Sequence, residues 1–290
     1  MADYFLYSGC SLEASGVHYL ISLEAVAKPL GINLKEIPDW NCCGASIAYV
    51  GGNELSVEVL AARNLAIAEA NGGLDIVAPC SSCYIVLNKV NHKLQEKPAL
   101  LAEVNEVLAE GGLKYSGQIK VRHLLDVLFN DAGPDKIKSL VKKPLTGIKV
   151  GGYVGCQTVR PFGEYDSVEQ PTVQDRLIQA LGAEAVPFPN KMRCCGSGLF
   201  LTELDHCYEL ARDILKDAVD HGAQIISTAC PMCQMNLEAY QKKINKALGT
   251  HFNIPVVFIT QLMAVAFGLG NKAAALDRLL ISAGQVLKAA

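Results

Sequence analysis

Hydrophobic and polar positions along the chain fall into short apolar runs separated by longer stretches of helical period. Tyr4–Tyr7 and Ile148–Val154 are β-rich and each run ends at a Gly-Cys pair, Gly9-Cys10 and Gly155-Cys156. A helical stretch follows each, Val17–Pro29 and Thr172–Leu181, and then a short strand that reaches a Cys-Cys-Gly triplet. Amphipathic helices are expected over Glu54–Ala70 and Glu203–His221. A third apolar strand, Leu74–Ala78 or Gln224–Thr228, runs into a C-x-x-C, with helices expected from Cys83 and Cys233. Strands alternating with helices at these lengths predict an α/β fold, in which a mainly parallel sheet is flanked by helices.

The same pattern is written twice. Cys10, Cys42-Cys43 and Cys80-x-x-Cys83 form one series, and Cys156, Cys194-Cys195 and Cys230-x-x-Cys233 a second. The offsets are 146, 152 and 150 residues (156 − 10, 194 − 42, 230 − 80). Equal order at nearly equal spacing means an internal duplication. It predicts two pseudo-symmetric domains, residues 1–144 and 145–290. From about residue 97 to Pro144 the chain is expected to be mostly helical and to bridge the halves, and it carries no cysteine. Every cysteine group falls where a strand ends or a helix begins, the edge at which open α/β folds bind ligands. Helix N-termini there favour an anionic centre.

Composition narrows the functions. Half of the 290 residues are hydrophobic, enough for a core without disulfide staples. The net charge of −3 and the lack of a basic tract with interleaved aromatics speak against a nucleic-acid partner. The N-terminus has no basic n-region and no cleavable apolar stretch. The most apolar window, Ile254–Gly270, is short for a membrane span, carries Pro255, Thr260 and Gln261, and reads as a buried strand followed by a helix. A cytoplasmic location is expected, where clustered cysteines mean metal or catalysis rather than disulfides. Gly51-Gly52, Gly72-Gly73 and Gly111-Gly112 make no dinucleotide fingerprint, so neither flavin nor NAD is expected.

Five thiolates per half suit an iron–sulfur cluster, which normally takes four. Tetrahedral zinc also takes four and would leave one of five idle. Cys207, alone in its helical stretch, reads as a free buried thiol. Ser81, Ser82 and Ser197 are placed either to donate hydrogen bonds to cluster sulfurs or to cap helices. Arg160, Lys191 and Arg193 flank the second series and are candidates to attract an anionic substrate. The stretch Ala264–Leu287 is a candidate partner surface.

The paired Cys-Cys-Gly triplets, with Gly155-Cys156-Gln157-Thr158-Val159-Arg160-Pro161 and Ala229-Cys230-Pro231-Met232-Cys233-Gln234-Met235-Asn236-Leu237, resemble the duplicated CCG domains in the B-type subunits of heterodisulfide reductases. That family includes the heterodisulfide reductase-like subunits of bacteria, and the resemblance covers nearly the whole chain. It implies two noncubane [4Fe-4S] clusters, one on Cys10, Cys42, Cys43, Cys80 and Cys83, the other on Cys156, Cys194, Cys195, Cys230 and Cys233. It also implies a disulfide/thiol oxidoreductase, in which a small disulfide is cleaved (or formed) between the clusters. The implied partners are a ferredoxin-like iron–sulfur subunit of the C type and a flavoprotein subunit of the A type. Gln157 stands where the family often has a histidine as proton donor, and glutamine cannot titrate. Related CCG domains also serve as electron relays in glycolate, lactate and succinate-type oxidoreductases, which is the competing expectation.

Overall fold

A computed structural model describes residues 2–287. Two four-stranded sheets form, each wholly parallel. The first holds β1 (Ala2–Leu6), β2 (Ile32–Glu36), β3 (Ile76–Ala78) and β4 (Val121–His123) in the order β2-β1-β3-β4. The second holds β5 (Lys149–Tyr153), β6 (Glu184–Val186), β7 (Ile225–Thr228) and β8 (Val256–Phe258) in the order β6-β5-β7-β8. The predicted duplication and parallel sheets are therefore present, strand for strand.

The strand order has a consequence for the site. After β1 the chain turns one way to β2 and then returns to the other side of β1 as β3. That reversal opens a crevice beyond the carboxyl ends of β1 and β3. Cys10 follows β1, Cys42-Cys43 follow β2, and Cys80 follows β3, so all three groups reach the same crevice. The second sheet repeats this with β5, β6 and β7.

Three local expectations are corrected. The segment 97–144 is more than a helical bridge: it supplies β4, which pairs with β3 at Ile76↔Val121, Val77↔Arg122 and Ala78↔His123. The helices of the C-x-x-C groups span Ser81–Glu96 and Pro231–Ala239, with Cys80 and Cys230 as extended N-cap residues. Those helices start earlier than Cys83 and Cys233 because the first cysteine leaves the strand and the second already lies in the first turn. Finally, the Glu54–Ala70 helix is not one-sided: it buries Val57, Ala61, Ala62, Leu65, Ala66, Ile67 and Ala68, which cover several faces. It packs against both Ser81–Glu96 and Pro98–Ala109, so a simple amphipathic stripe would not suffice.

The halves share one continuous core rather than a wet seam. Tyr19, from the helix Val17–Leu30, stacks on Phe258 at the end of β8, with ring centroids 4.0 Å apart and planes 5° from parallel. The Tyr19 hydroxyl donates to the Ala229 carbonyl at 3.2 Å, and Ser22 and Thr260 share a buried hydrogen bond of 2.7 Å. Glu164 of the second half accepts from Tyr84 at 3.0 Å and Asn88 at 3.2 Å on the first. These contacts fix how the two cysteine sets face one another. Within Ile254–Gly270 the strand β8 leads into the helix Ile259–Ala266, as expected, and among the described residues no helix is long and apolar enough to cross a membrane.

Candidate metal centres

All five cysteines of the first series line one cavity of about 180 Å³, together with Ser11, Ser46, Tyr49 and Met232. All five of the second line another of about 410 Å³, together with Ser81, Gln157, Thr158 and Leu210. Thus the structure brings together, half by half, the ten cysteines that the sequence singled out. Tyr49, Ser82, Ser197 and Gly198 line both cavities, so the two are neighbours divided by a thin wall.

The three deepest thiols are equivalent in the two sets, while the exposed one differs, the lone first cysteine in one and the first of the pair in the other. Cys43, Cys80 and Cys83 are buried, as are Cys195, Cys230 and Cys233, while Cys10 and Cys194 lie exposed at the mouths. Cys43 Sγ stands 3.5 Å from Cys83 Sγ, and Cys195 Sγ 3.6 Å from Cys233 Sγ. Gly9 and Gly155, at φ +64° and +78°, allow the tight turn before the first cysteine of each set. A Cβ added at Gly9 would stand 3.1 Å from Cys83 Sγ, and one at Gly155 3.5 Å from Cys233 Sγ. Tyr7 and Tyr153, buried just before those glycines, donate from their hydroxyls to the carbonyls of Asn41 (2.7 Å) and Arg193 (2.6 Å). In each half, then, the tyrosine just after β1 or at the end of β5 holds the loop that carries the paired cysteines.

Electrostatics separates the thiols. The Cys10 thiol donates to Cys42, and with help from Cys43 and the Gly44 N–H this holds Cys42 well below the usual thiol range. Cys194 is held at about 6, first by the Cys156 thiol and then by the Gly196 N–H, which lies 3.4 Å from its sulfur. Their donors Cys10 and Cys156 are pushed up correspondingly. Cys80 is raised, first by its hydrogen bond to Cys230 of the other half, so the two sets meet at these sulfurs. A metal centre would resolve this crowding by taking every thiol as thiolate.

Among the described residues no three His, Cys, Asp or Glu side chains converge on one ion-sized point. The thiols instead stand around cavities with room for a larger body, and a thiol-only donor set suits iron and sulfide.

The other predicted residues divide between the cavities and the surrounding surface. Lys191 Nζ donates to the Pro171 carbonyl at 2.6 Å and to Asp175 at 2.7 Å, Arg193 pairs with Asp213 at 2.8 Å, and Arg160 donates to the Val168 carbonyl at 3.0 Å. None of the three lines either cavity. Cys207 is fully buried behind the Cys194-Cys195-Gly196 loop, beside Asn236, as a free thiol. Ser81 donates to, or accepts from, Thr158 at 2.7 Å, and neither Ser81 nor Ser82 caps its helix, whose N-cap is Cys80. Gln157 does line the second cavity. Tyr49 was not legible as a site residue: it carries no motif, and its only signal is its place six residues after Cys43, before Gly51-Gly52.

Similarity to known proteins decides the family. The cysteine-rich CCG domain matches twice, at residues 4–88 and 150–238. A heterodisulfide reductase protein of Archaeoglobus profundus, named as like the B-type subunit, is 33% identical over 279 residues, covering 92% of this chain and 91% of the relative. The chain belongs to the B-type subunit family of heterodisulfide reductases. A second member, the B-type subunit of the ferredoxin/F420H2-dependent CoB-CoM heterodisulfide reductase of Methanosarcina acetivorans, is 30% identical over 92% of this chain and 90% of its own. The 8-methylmenaquinol:fumarate reductase membrane anchor subunit of Wolinella succinogenes is 34% identical over 97% of this chain and 98% of its own. A solved structure of a hypothetical protein from Helicobacter pylori shares the fold, with a TM-score of 0.76 at 17% identity, over 97% of this chain and 52% of that one. Family membership supports an iron–sulfur oxidoreductase subunit.

Proposed function

We propose that this chain is the catalytic iron–sulfur subunit of a heterodisulfide reductase-like complex and cleaves, or forms, a small disulfide between two noncubane [4Fe-4S] clusters. The observation that carries the reading is the shared wall: two complete five-cysteine cavities adjoin across Tyr49, Ser82, Ser197 and Gly198. When bound, each cluster supplies single electrons and a Lewis-acidic iron. Cys10, Cys42, Cys43, Cys80 and Cys83 would hold one, and Cys156, Cys194, Cys195, Cys230 and Cys233 the other. A disulfide needs two electrons, and residues holding two neighbouring centres would let both arrive without release of a thiyl radical.

The chain's own residues prepare that event. Tyr7 and Tyr153 fix the loops, and Gly9 and Gly155 let the backbone pass close to the buried sulfurs. Met232, Val50, Phe200 and Leu201 give the first mouth an apolar rim that excludes water. No Lys, Arg, His, Asp or Glu lines either cavity among the described residues. The substrate part that enters is therefore uncharged around its sulfurs. Electrons would come from a ferredoxin-like subunit of the C type, itself supplied by a flavoprotein subunit of the A type.

The test is anaerobic turnover of small disulfides by the loaded protein with reduced viologen as electron source. Wild type should turn over, and Cys195→Ala should not. Full turnover by Cys195→Ala would remove the second half from the chemistry. The similarity to the Wolinella fumarate reductase subunit favours a second reading, a relay that carries electrons from a quinol to another subunit. In that case the loaded protein is oxidised or reduced by a quinone analogue and turns over no disulfide.

A further inference from the structure

Tyr49 ends the short helix Ala45–Tyr49 that follows the first Cys-Cys-Gly triplet, and it stands in the wall between the two cavities. Its hydroxyl lies 2.8 Å from Ser82 Oγ and 2.9 Å from Gln157 Oε1, and Ser82 donates to the same Gln157 oxygen at 3.0 Å. Ser82 lies between Cys80 and Cys83 of one set, and Gln157 follows Cys156 of the other. Tyr49 thus touches the backbone neighbours of both sets at once. Its ring lies over Gly198, where an added Cβ would stand 3.6 Å from the nearest ring atom. A methyl group there would rest against the ring at ordinary van der Waals distance.

We propose that Tyr49 is the hydrogen-bond donor to the thiolate that departs when a disulfide is cleaved between the two halves, and that Ser82 and Gln157 hold its hydroxyl in position until the substrate arrives. The proposal rests on the disulfide reading above. In the reduction, two electrons enter the S–S bond, the bond breaks, and each sulfur leaves as a thiolate. Two protons from solvent then complete the two thiols. The electrons come from a one-electron carrier, the partner subunit or, in the assay below, reduced viologen.

Negative charge develops on sulfur in this step, and a preorganised donor aimed at it lowers the barrier. The cavities hold no cationic side chain for that purpose among the described residues. Of their other hydroxyls, those of Ser81, Ser82 and Thr158 are engaged, while Ser11, Ser46 and Ser197 line the cavities without a phenol's acidity. Ser81 is bound to Thr158 at 2.7 Å, and Thr158 donates to the Val154 carbonyl at 2.6 Å. The Ser82 proton is directed at Gln157. Tyr49 alone brings a phenol into the shared wall. Burial pushes that phenol above its usual range, whereas a thiol titrates near ~8.5. Transfer of the proton from Tyr49 to the thiolate is therefore uphill. The phenol donates a hydrogen bond and keeps its proton, so it needs no reprotonation path between turnovers.

The experiment compares wild type with Tyr49→Phe, both loaded with iron and sulfide. Rates are followed with reduced viologen over a series of disulfides whose thiols differ in acidity. A hydrogen bond to a charged group is worth about ten- to a hundredfold in rate. We expect Tyr49→Phe to keep wild-type iron and sulfide, to lose kcat by that factor on aliphatic disulfides, and to hold KM within about twofold. The deficit should shrink for aromatic disulfides, whose acidic thiols need less help to leave. A readout without turnover is calorimetric binding of a small aliphatic thiol to the oxidised, loaded protein. It should weaken about tenfold in Tyr49→Phe. Wild-type kcat, wild-type dependence on thiol acidity and unchanged thiol affinity would overturn the proposal. So would loss of iron in Tyr49→Phe, which would make the hydroxyl a structural group. If loaded wild type cleaves no disulfide, the functional reading falls first and this proposal with it.

Discussion

Cys194 shows how much of the chemistry is set by single residues. It is exposed, it accepts from the Cys156 thiol and the Gly196 N–H, and its pKa is lowered to about 6. The thiolate is the nucleophile, so in folded protein stripped of metal Cys194 should be alkylated fast at pH 7 and slow only as pH falls through about 6. An ordinary thiol slows already below ~8.5. Pulsed iodoacetamide labelling with mass spectrometry checks this: Cys194 should be modified before Cys230 and Cys233, which are buried. A labelling midpoint near ~8.5 for Cys194 would contradict the account. At this scale the sequence was unusually informative. Paired cysteines, Gly-Cys turns and C-x-x-C groups each carry their chemistry in adjacent residues, so all ten ligand candidates could be named before any fold. Tyr49, Ser82 and Gln157 act through a contact between the two halves, with 108 residues separating Tyr49 from Gln157, and no local pattern announces such a contact. Arg160, Lys191 and Arg193 failed to reach the cavities for the same reason. Their nearness in sequence to cysteines said nothing of Asp175 and Asp213, which claim two of them.

Elements place these residues, and the fit between the halves is their most consequential product. Phe258 closes β8, is fully buried, and stacks on Tyr19 across the seam. Phe258→Ala should cost about 3–5 kcal/mol by lost packing and the cavity left behind, and Phe258→Leu about 1–2 kcal/mol. Anaerobic urea denaturation measures both, and a wild-type midpoint for Phe258→Ala would show that the seam contributes little. The apolar runs made β1, β3, β5 and β7 legible because parallel strands covered on both faces need continuous hydrophobic residues. Strand β4 was hidden: Val121–His123 is three residues long, and its identity comes from pairing with β3 rather than from its own pattern. The helix Glu54–Ala70 was recognised in extent but not in burial, since two further helices pack on it.

At the scale of the whole molecule, duplication turns one binding crevice into two that face each other. Each sheet reverses its strand order beside its own five cysteines, and the shared core sets the crevices on either side of a wall one tyrosine thick. A chain with one complete set would suit a relay; two complete sets in adjoining cavities suit a reaction that consumes two electrons at one place. The relatives divide along the same line, heterodisulfide reductase subunits on one side and a quinol-linked fumarate reductase subunit on the other. The proposed two-electron reaction needs a redox centre in each half. Iron, zinc and acid-labile sulfide per chain, measured on anaerobically purified protein, test that demand most directly. The account predicts about eight iron and about eight sulfide with no zinc, four of each in either half; about four iron with one zinc, or zinc without sulfide, would contradict it.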